Sequence, residues 1–179
     1  MHDSIDYLQF YDDEDYLLGV GDRFRETGNL EAADLYTLLA WKANRAKNYH
    51  WKRLRKLAKS GTFAGAVSEI ASELHPTPGQ KDRLQILMEK WGFAVPTATA
   101  ILTILYPKEF TVYDYRVCTE LGIENNLSAK GFSDSLWSGY EEFKARVISQ
   151  TPADLCLRDK DRFLWARSTR KDIEKACAD

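Results

Sequence analysis

Apolar residues recur at the helical period along most of the chain. Phe63, Val67, Ile70 and Leu74 fall on one helix face, as do Leu84, Leu87, Met88 and Trp91, and again Leu136, Tyr140, Phe143 and Val147. Alternating strand patterns are nearly absent. Breakers divide the run at Gly28-Asn29, Ser60-Gly61, "HPTPG" (75–79), Pro107, "ENNLSAKG" (124–131) and "TP" (151–152). The spacing predicts helices over 12–27, 30–44, 49–59, 62–74, 80–91, 96–105, 115–121, 133–149 and 158–176. The expected class is all-α, without internal repeats or a low-complexity tail. The stretch 97–105 is apolar all round and is therefore expected to be buried, with Ala98 and Ala100 permitting close approach. Pro107 ends it, 110–113 reads as extended, and Asp114 stands where an N-cap of the next helix belongs.

Length and composition set the scale. A chain of 179 residues with 44% hydrophobic content can bury one sizeable core, as a single domain or as two compact lobes sharing it. The net charge of -2 excludes a globally basic nucleic-acid binder, so any polyanion contact must be local. Charge is unevenly placed. Residues 1–34 hold ten acids against Arg23 and Arg25, whereas 35–68 contains no acid at all. That second stretch carries Lys42, Arg45, Lys47, Lys52, Arg53, Arg55, Lys56 and Lys59, interleaved with Trp41, Tyr49, His50 and Trp51. Two readings stay open: a phosphate-binding surface with aromatics for base stacking, or a solvated basic helix paired with the acidic N-terminal segment. The basic stretch 158–175 is diluted by Asp159, Asp161, Asp172 and Glu174 and reads as an ordinary exposed helix. His50 is expected to be exposed, and Glu120, Glu141 and Glu142 fall at surface spacing.

Cys118, Cys156 and Cys177 lack metal-ligand spacing and are expected to be reduced thiols, so neither a metal nor a cofactor is anticipated. The N-terminus, "MHDSIDYLQFYDDEDY", is acidic and aromatic where a signal peptide would be basic and then apolar. No apolar run reaches membrane-spanning length, and the expected location is cytoplasmic, without a membrane partner.

The stretch "WGFAVPTATAILTILYPKEFTVYDYRV" (91–117) carries the candidate chemistry. Gly92 can close one helix through the left-handed backbone region, and Pro96 suits the first turn of the next. The N-terminus of that second helix offers backbone N–H groups that can hold a phosphate whatever the base sequence. "GFAVPTA" followed by "FTVYDYRV" resembles the helix-hairpin-helix DNA glycosylase superfamily. Its hairpin reads roughly Gly-apolar-Gly-x-x-Thr-Ala, and its essential aspartate lies twenty residues past the second glycine. Gly92 matches the first glycine, Phe93 the apolar tip, Ala94 the second glycine and Thr97-Ala98 the final pair; twenty residues past Ala94 is Asp114. "LRDKDRFLWA" (157–166), in an aromatic-rich C-terminal part, looks like the small bacterial members.

The resemblance implies a two-lobed helical fold, with the hairpin and aspartate at the mouth of a cleft. One lobe would comprise about 1–45 plus 133–179, and the other about 46–132, with the hairpin at 80–105. It also implies DNA as the partner, a monomeric protein, and backbone contacts from Gly92, Phe93, Ala94, Val95 and Thr97, with Lys42, Arg45, Lys47, Lys52, Arg53, Arg55 and Lys56 as the basic patch. Asp114 would stabilise the cationic sugar that forms as the glycosidic bond stretches, and would activate the attacking water. The extruded base needs a pocket, for which Tyr49, Trp51, Tyr113 and Tyr115 are the candidate aromatics. Arg116 could contact the hairpin-bound phosphate or pair with a neighbouring acid.

Three departures narrow the expectation. Ala94 replaces a glycine and should tighten the turn and weaken its phosphate contact. Pro96 stands where lyase-competent members carry the lysine that forms a Schiff base, which points to a monofunctional enzyme leaving an abasic site. The superfamily's four-cysteine iron-sulfur loop is missing. The expected function is thus hydrolysis of a damaged or modified base from DNA, in repair or against phage DNA with substituted bases. The alternative is a non-catalytic helix-hairpin-helix module that binds DNA or a partner, with Asp114 as a simple N-cap.

Overall fold

The computed structural model describes residues 13–177, and their side chains from Tyr16 onward. Among the described residues the fold is all-α, with no strand: α1 (Asp13–Thr27), α2 (Ala32–Ala43), α3 (Lys47–Leu57), α4 (Phe63–Leu74), α5 (Gln80–Gln85), α6 (Val95–Leu105), α7 (Tyr115–Glu120), α8 (Asp134–Ser149) and α9 (Leu157–Ala176). The predicted helices coincide with these to within a few residues, except that the one expected over 80–91 is split. After α5 the chain widens into a π turn, Ile86–Lys90. No described helix is long and apolar enough to cross a membrane. The chain divides into two compact units, Met1–Thr77 and Pro78–Asp179. That boundary falls inside the stretch 46–132 expected to form one lobe.

In the first unit, Leu17, Val20 and Phe24 of α1 are buried, as are Leu35, Leu38 and Leu39 of α2. The joint between α1 and α2 is polar and fully enclosed. Asp34, 1% exposed, accepts hydrogen bonds from the Tyr16 hydroxyl (2.7 Å), the Glu31 N–H (2.7 Å) and the Arg23 guanidinium. Asp34 and Glu31 form a reciprocal capping box that starts α2. Burial, with Asp34 beside it, pushes the Tyr16 phenol up to about 12. Asp34 and Asp22 thus spend their charge on Arg23 and Arg25 within the acidic segment itself. The rest of that segment's acids, up to Asp12, lie outside the described residues. α4 starts at Thr62, whose hydroxyl accepts the Gly65 N–H, and buries Val67, Ile70 and Leu74 on the predicted face; Phe63 stays partly exposed at its edge.

The second unit is built on α6. Every residue of that helix is buried except Pro96, so the prediction from its all-round apolar character holds. Its threonines turn their hydroxyls inward to the helix backbone: Thr103 to the Thr99 carbonyl (2.7 Å) and Thr99 to the Val95 carbonyl (2.8 Å). α5 is fastened near the C-terminal end of α6 by Arg83, which is 7% exposed, ion-paired with Glu109 at 2.7 Å and 3.6 Å above the Tyr106 ring. α8 contributes Leu136, Tyr140, Phe143 and Val147, the predicted face, and α9 lies along both α7 and α8.

Candidate active site

The hairpin is a helix, a short turn and a helix. Gly92 adopts φ 65°, where a side chain would be strained, and the Phe93 N–H returns to the Leu87 carbonyl at 3.0 Å. That bond spans one residue more than the usual glycine-closed helix end, because the preceding turn is π-helical: the Trp91 N–H likewise reaches back to Ile86. Along the turn, Phe93 and Val95 point inward and are buried, while Gly92 and Ala94 are exposed. Ala94 caps α6 with φ -71°, a backbone any residue accepts, so the missing second glycine causes no strain. Of the first helical positions, Pro96 has no N–H, and Thr97, itself 7% exposed, donates its own to the Ala94 carbonyl at 3.0 Å. The donor set at this helix start is therefore smaller than the sequence motif suggests.

The extended segment 110–113 has no β partner among the described residues, yet it is buried. Side chains satisfy its backbone in succession. The Thr111 N–H donates to the Tyr140 hydroxyl (3.0 Å), which in turn donates to the Thr111 carbonyl (2.8 Å). The Val112 N–H and the Thr111 hydroxyl both donate to Asp161 Oδ2 at 3.0 Å. The Tyr113 N–H donates to Thr99 Oγ1 at 3.0 Å. Asp161, 3% exposed, pairs through Oδ1 with Arg158, itself 8% exposed. Burial pushes the Asp161 carboxyl up, while Arg158, the Val112 N–H and the Thr111 hydroxyl pull it down. This corrects the reading of 158–175 as an ordinary exposed helix: α9 buries Arg158, Lys160, Asp161, Leu164 and Ser168. Nothing in the sequence links Asp161 to a segment some fifty residues earlier.

At the end of this clamped segment stands Asp114, partly exposed, N-capping α7 with its Oδ1 accepting the Arg116 N–H at 2.9 Å. The predicted cap is thus present, and the carboxyl is not sealed inside the core. Arg116 takes the pairing alternative, forming an ion pair with Asp172 of α9. Its guanidinium lies 5.4 Å from the Tyr115 ring and 5.8 Å from that of Trp165, so two rings, 57% and 47% exposed, flank the cation next to Asp114. One turn further on, Glu120 departs from its surface reading: its side chain is only 3% exposed and is caged by Arg167 (2.6 Å) and Lys171 (2.8 Å) of α9.

The four candidate pocket aromatics do not form one group. Tyr113 is 1% exposed; its ring packs edge-on against Phe143 at 4.8 Å, and its hydroxyl accepts the Leu127 N–H. Burial raises that phenol to about 12. Tyr113 is thus a core residue and not a free stacking surface, which corrects the sequence reading. Its far side lines a cavity of about 540 Å³, shared with Leu127, Ser138, Glu142, Phe143 and Arg146 but not with Asp114. Tyr115 is open beside Asp114. Tyr49, 63% exposed, and Trp51, partly buried, belong to α3 in the first unit. His50, expected to be exposed, is 8% exposed, and burial together with the neighbouring Arg53 depresses its pKa to about 4. No group of three His, Cys, Asp or Glu among the described residues could hold a metal ion. Comparison of the chain with family models, with curated proteins and with solved structures finds no match.

Proposed function

We propose that the protein is a monofunctional DNA glycosylase in which Asp114 is the working carboxylate. The observation that carries this reading is the placement of Asp114: partly exposed, at a helix start, at the end of a segment whose backbone is held by Thr99, Tyr140 and Asp161. Stabilising a developing sugar cation requires an anion that is accessible to the substrate and does not relax away from it, and a clamped support provides the second condition. The start of α7 favours a negative side chain there. The carboxylate would stabilise the charge that develops on the deoxyribose as the base departs, and would orient and deprotonate the water that attacks the anomeric carbon. The hairpin at 92–97 would hold a backbone phosphate, chiefly through main-chain amides exposed at its tip. With Pro96 at the position of the Schiff-base lysine, the product would be an intact strand with an abasic site.

Asp114→Asn tests this cleanly, because asparagine caps a helix as well as aspartate and only the charge is lost. Duplexes carrying alkylated, deaminated, oxidised or hypermodified bases are incubated with each protein and then treated with hot alkali. Base release by the native protein and its loss by two or more orders of magnitude in the variant is the expected result. Equal cleavage by both removes Asp114 from the mechanism. DNA binding that survives the substitution, with no base released from any substrate, identifies the alternative non-catalytic module.

A further inference from the structure

Helix α3 gives the core only His50 and Leu54. Tyr49, Lys52 and Lys56 run along the side away from Leu54 at three- and four-residue spacing, and Arg45 and Lys59 sit in the turns at its two ends. All five are exposed, Tyr49 at 63%. Among the described residues, no carboxylate lies within ion-pair distance of Arg45, Lys52, Arg55, Lys56 or Lys59. The cations of α9 contrast with this: Arg158, Arg162, Arg167, Arg170 and Lys171 each have an acid partner. Instead of acids, α3 places rings beside its cations. Arg53 lies 5.4 Å from the Tyr49 centroid, and Arg55 (5.5 Å) and Lys52 (6.0 Å) lie by Trp51, whose Nε1 donates to Asn48.

We propose that this face of α3 binds single-stranded nucleic acid, with phosphates on Arg45, Lys52, Lys56 and Lys59 and an unpaired base on the Tyr49 ring. The cations select a polyanion, and the ring selects among polyanions. A duplex turns its base faces inward, so an exposed phenol among cations gains nothing from intact double-stranded DNA, whereas a single strand offers a flat base between successive phosphates. That the polyanion is a nucleic acid rests on the glycosylase reading; the contact itself involves neither Asp114 nor the hairpin. It gives the protein a way to hold a strand that is already unpaired, where extruding a nucleotide costs least.

The test measures fluorescence anisotropy of the full chain with a labelled oligothymidylate about 20 nucleotides long, and with a duplex of equal length, across a range of salt concentrations. Lys52→Gln combined with Lys56→Gln lowers the slope of log K against log salt on the single strand by about 1.4, since each phosphate contact contributes about 0.7. Tyr49→Ala weakens the single strand at least about five-fold and leaves the duplex unchanged, while Tyr49→Phe, which keeps the ring, binds like the native protein. These side chains are exposed, and thermal unfolding of each variant verifies that the fold is kept. An unchanged salt slope, or a Tyr49→Ala variant that binds the single strand normally, overturns the proposal. So does a duplex bound more tightly than the single strand. Base release from modified duplexes is scored separately with Asp114→Asn, so failure of the α3 contact leaves the catalytic reading standing, and failure of catalysis leaves the α3 contact standing.

Discussion

The segment 110–113 and helix α3 are both anomalies in the sequence, and the fold resolves them in opposite ways. The first is a short apolar run with no partner strand, and the second unit spends buried polar groups from three helices, Thr99, Tyr140 and Asp161, on its backbone. The second is a run of cations without acids, and the first unit leaves those cations at the surface beside aromatic rings. Buried polar groups matched one for one fix a geometry, because each becomes costly if its partner is lost. Exposed charges without partners stabilise little and are available to a ligand. One region therefore reads as a support and the other as a contact surface.

The comparison breaks most readily at Asp161. Asp161→Ala leaves Arg158 buried and uncompensated and frees the Val112 N–H, and should cost about 3–5 kcal/mol in urea unfolding; a loss below about 1 kcal/mol would mean that the segment does not need its clamp. Tyr140→Phe removes one hydroxyl that both accepts from and donates to Thr111, for an expected loss of about 1–3 kcal/mol by the same measurement. His50 sharpens the contrast from within α3. Its folded pKa of about 4 lies below the ordinary 6.5, so as the pH falls the unfolded chain takes up the proton first. Stability should therefore be lost from pH 6.5 down to about 4, and be indifferent to this group above 6.5. His50→Gln should make the urea midpoint flatter across that window than in the native protein. The smallest effect is expected at the contact face itself: Lys52→Gln with Lys56→Gln should shift stability by no more than about 0.5 kcal/mol, and a larger loss would show these cations to be structural.

Much of the helical framework was legible because it depends on local periodicity and local breakers. The face of α8, the burial of α6 and the Asp114 cap each follow from residues within a few positions of one another. The clamp was not legible, because Asp161, Tyr140 and Thr99 approach 110–113 from separations of fourteen to fifty positions and carry no spacing signature. For the same reason Tyr113 was misread as open: its hydroxyl bond to Leu127 and its packing on Phe143 are tertiary facts. Glu120 and His50 failed similarly, each exposed by helical pattern but covered by a neighbouring element or by its own surroundings. The exposed ring of Trp165 beside Arg116 is the feature near Asp114 that the sequence reading passed over, since a lone tryptophan in a charged helix gives no hint of what it faces.

The π turn at Ile86–Lys90 makes the hairpin tip dependent on a single inserted residue. Excising one residue from that turn would let it wind as ordinary α-helix, and everything downstream would then have to swing by about 100° around the helix axis to keep its covalent connection. The orientation of Gly92 and Ala94 is thus set by chain length as well as by side-chain chemistry, and the smallest heritable length change available at this place would re-aim the tip while sparing every residue in it.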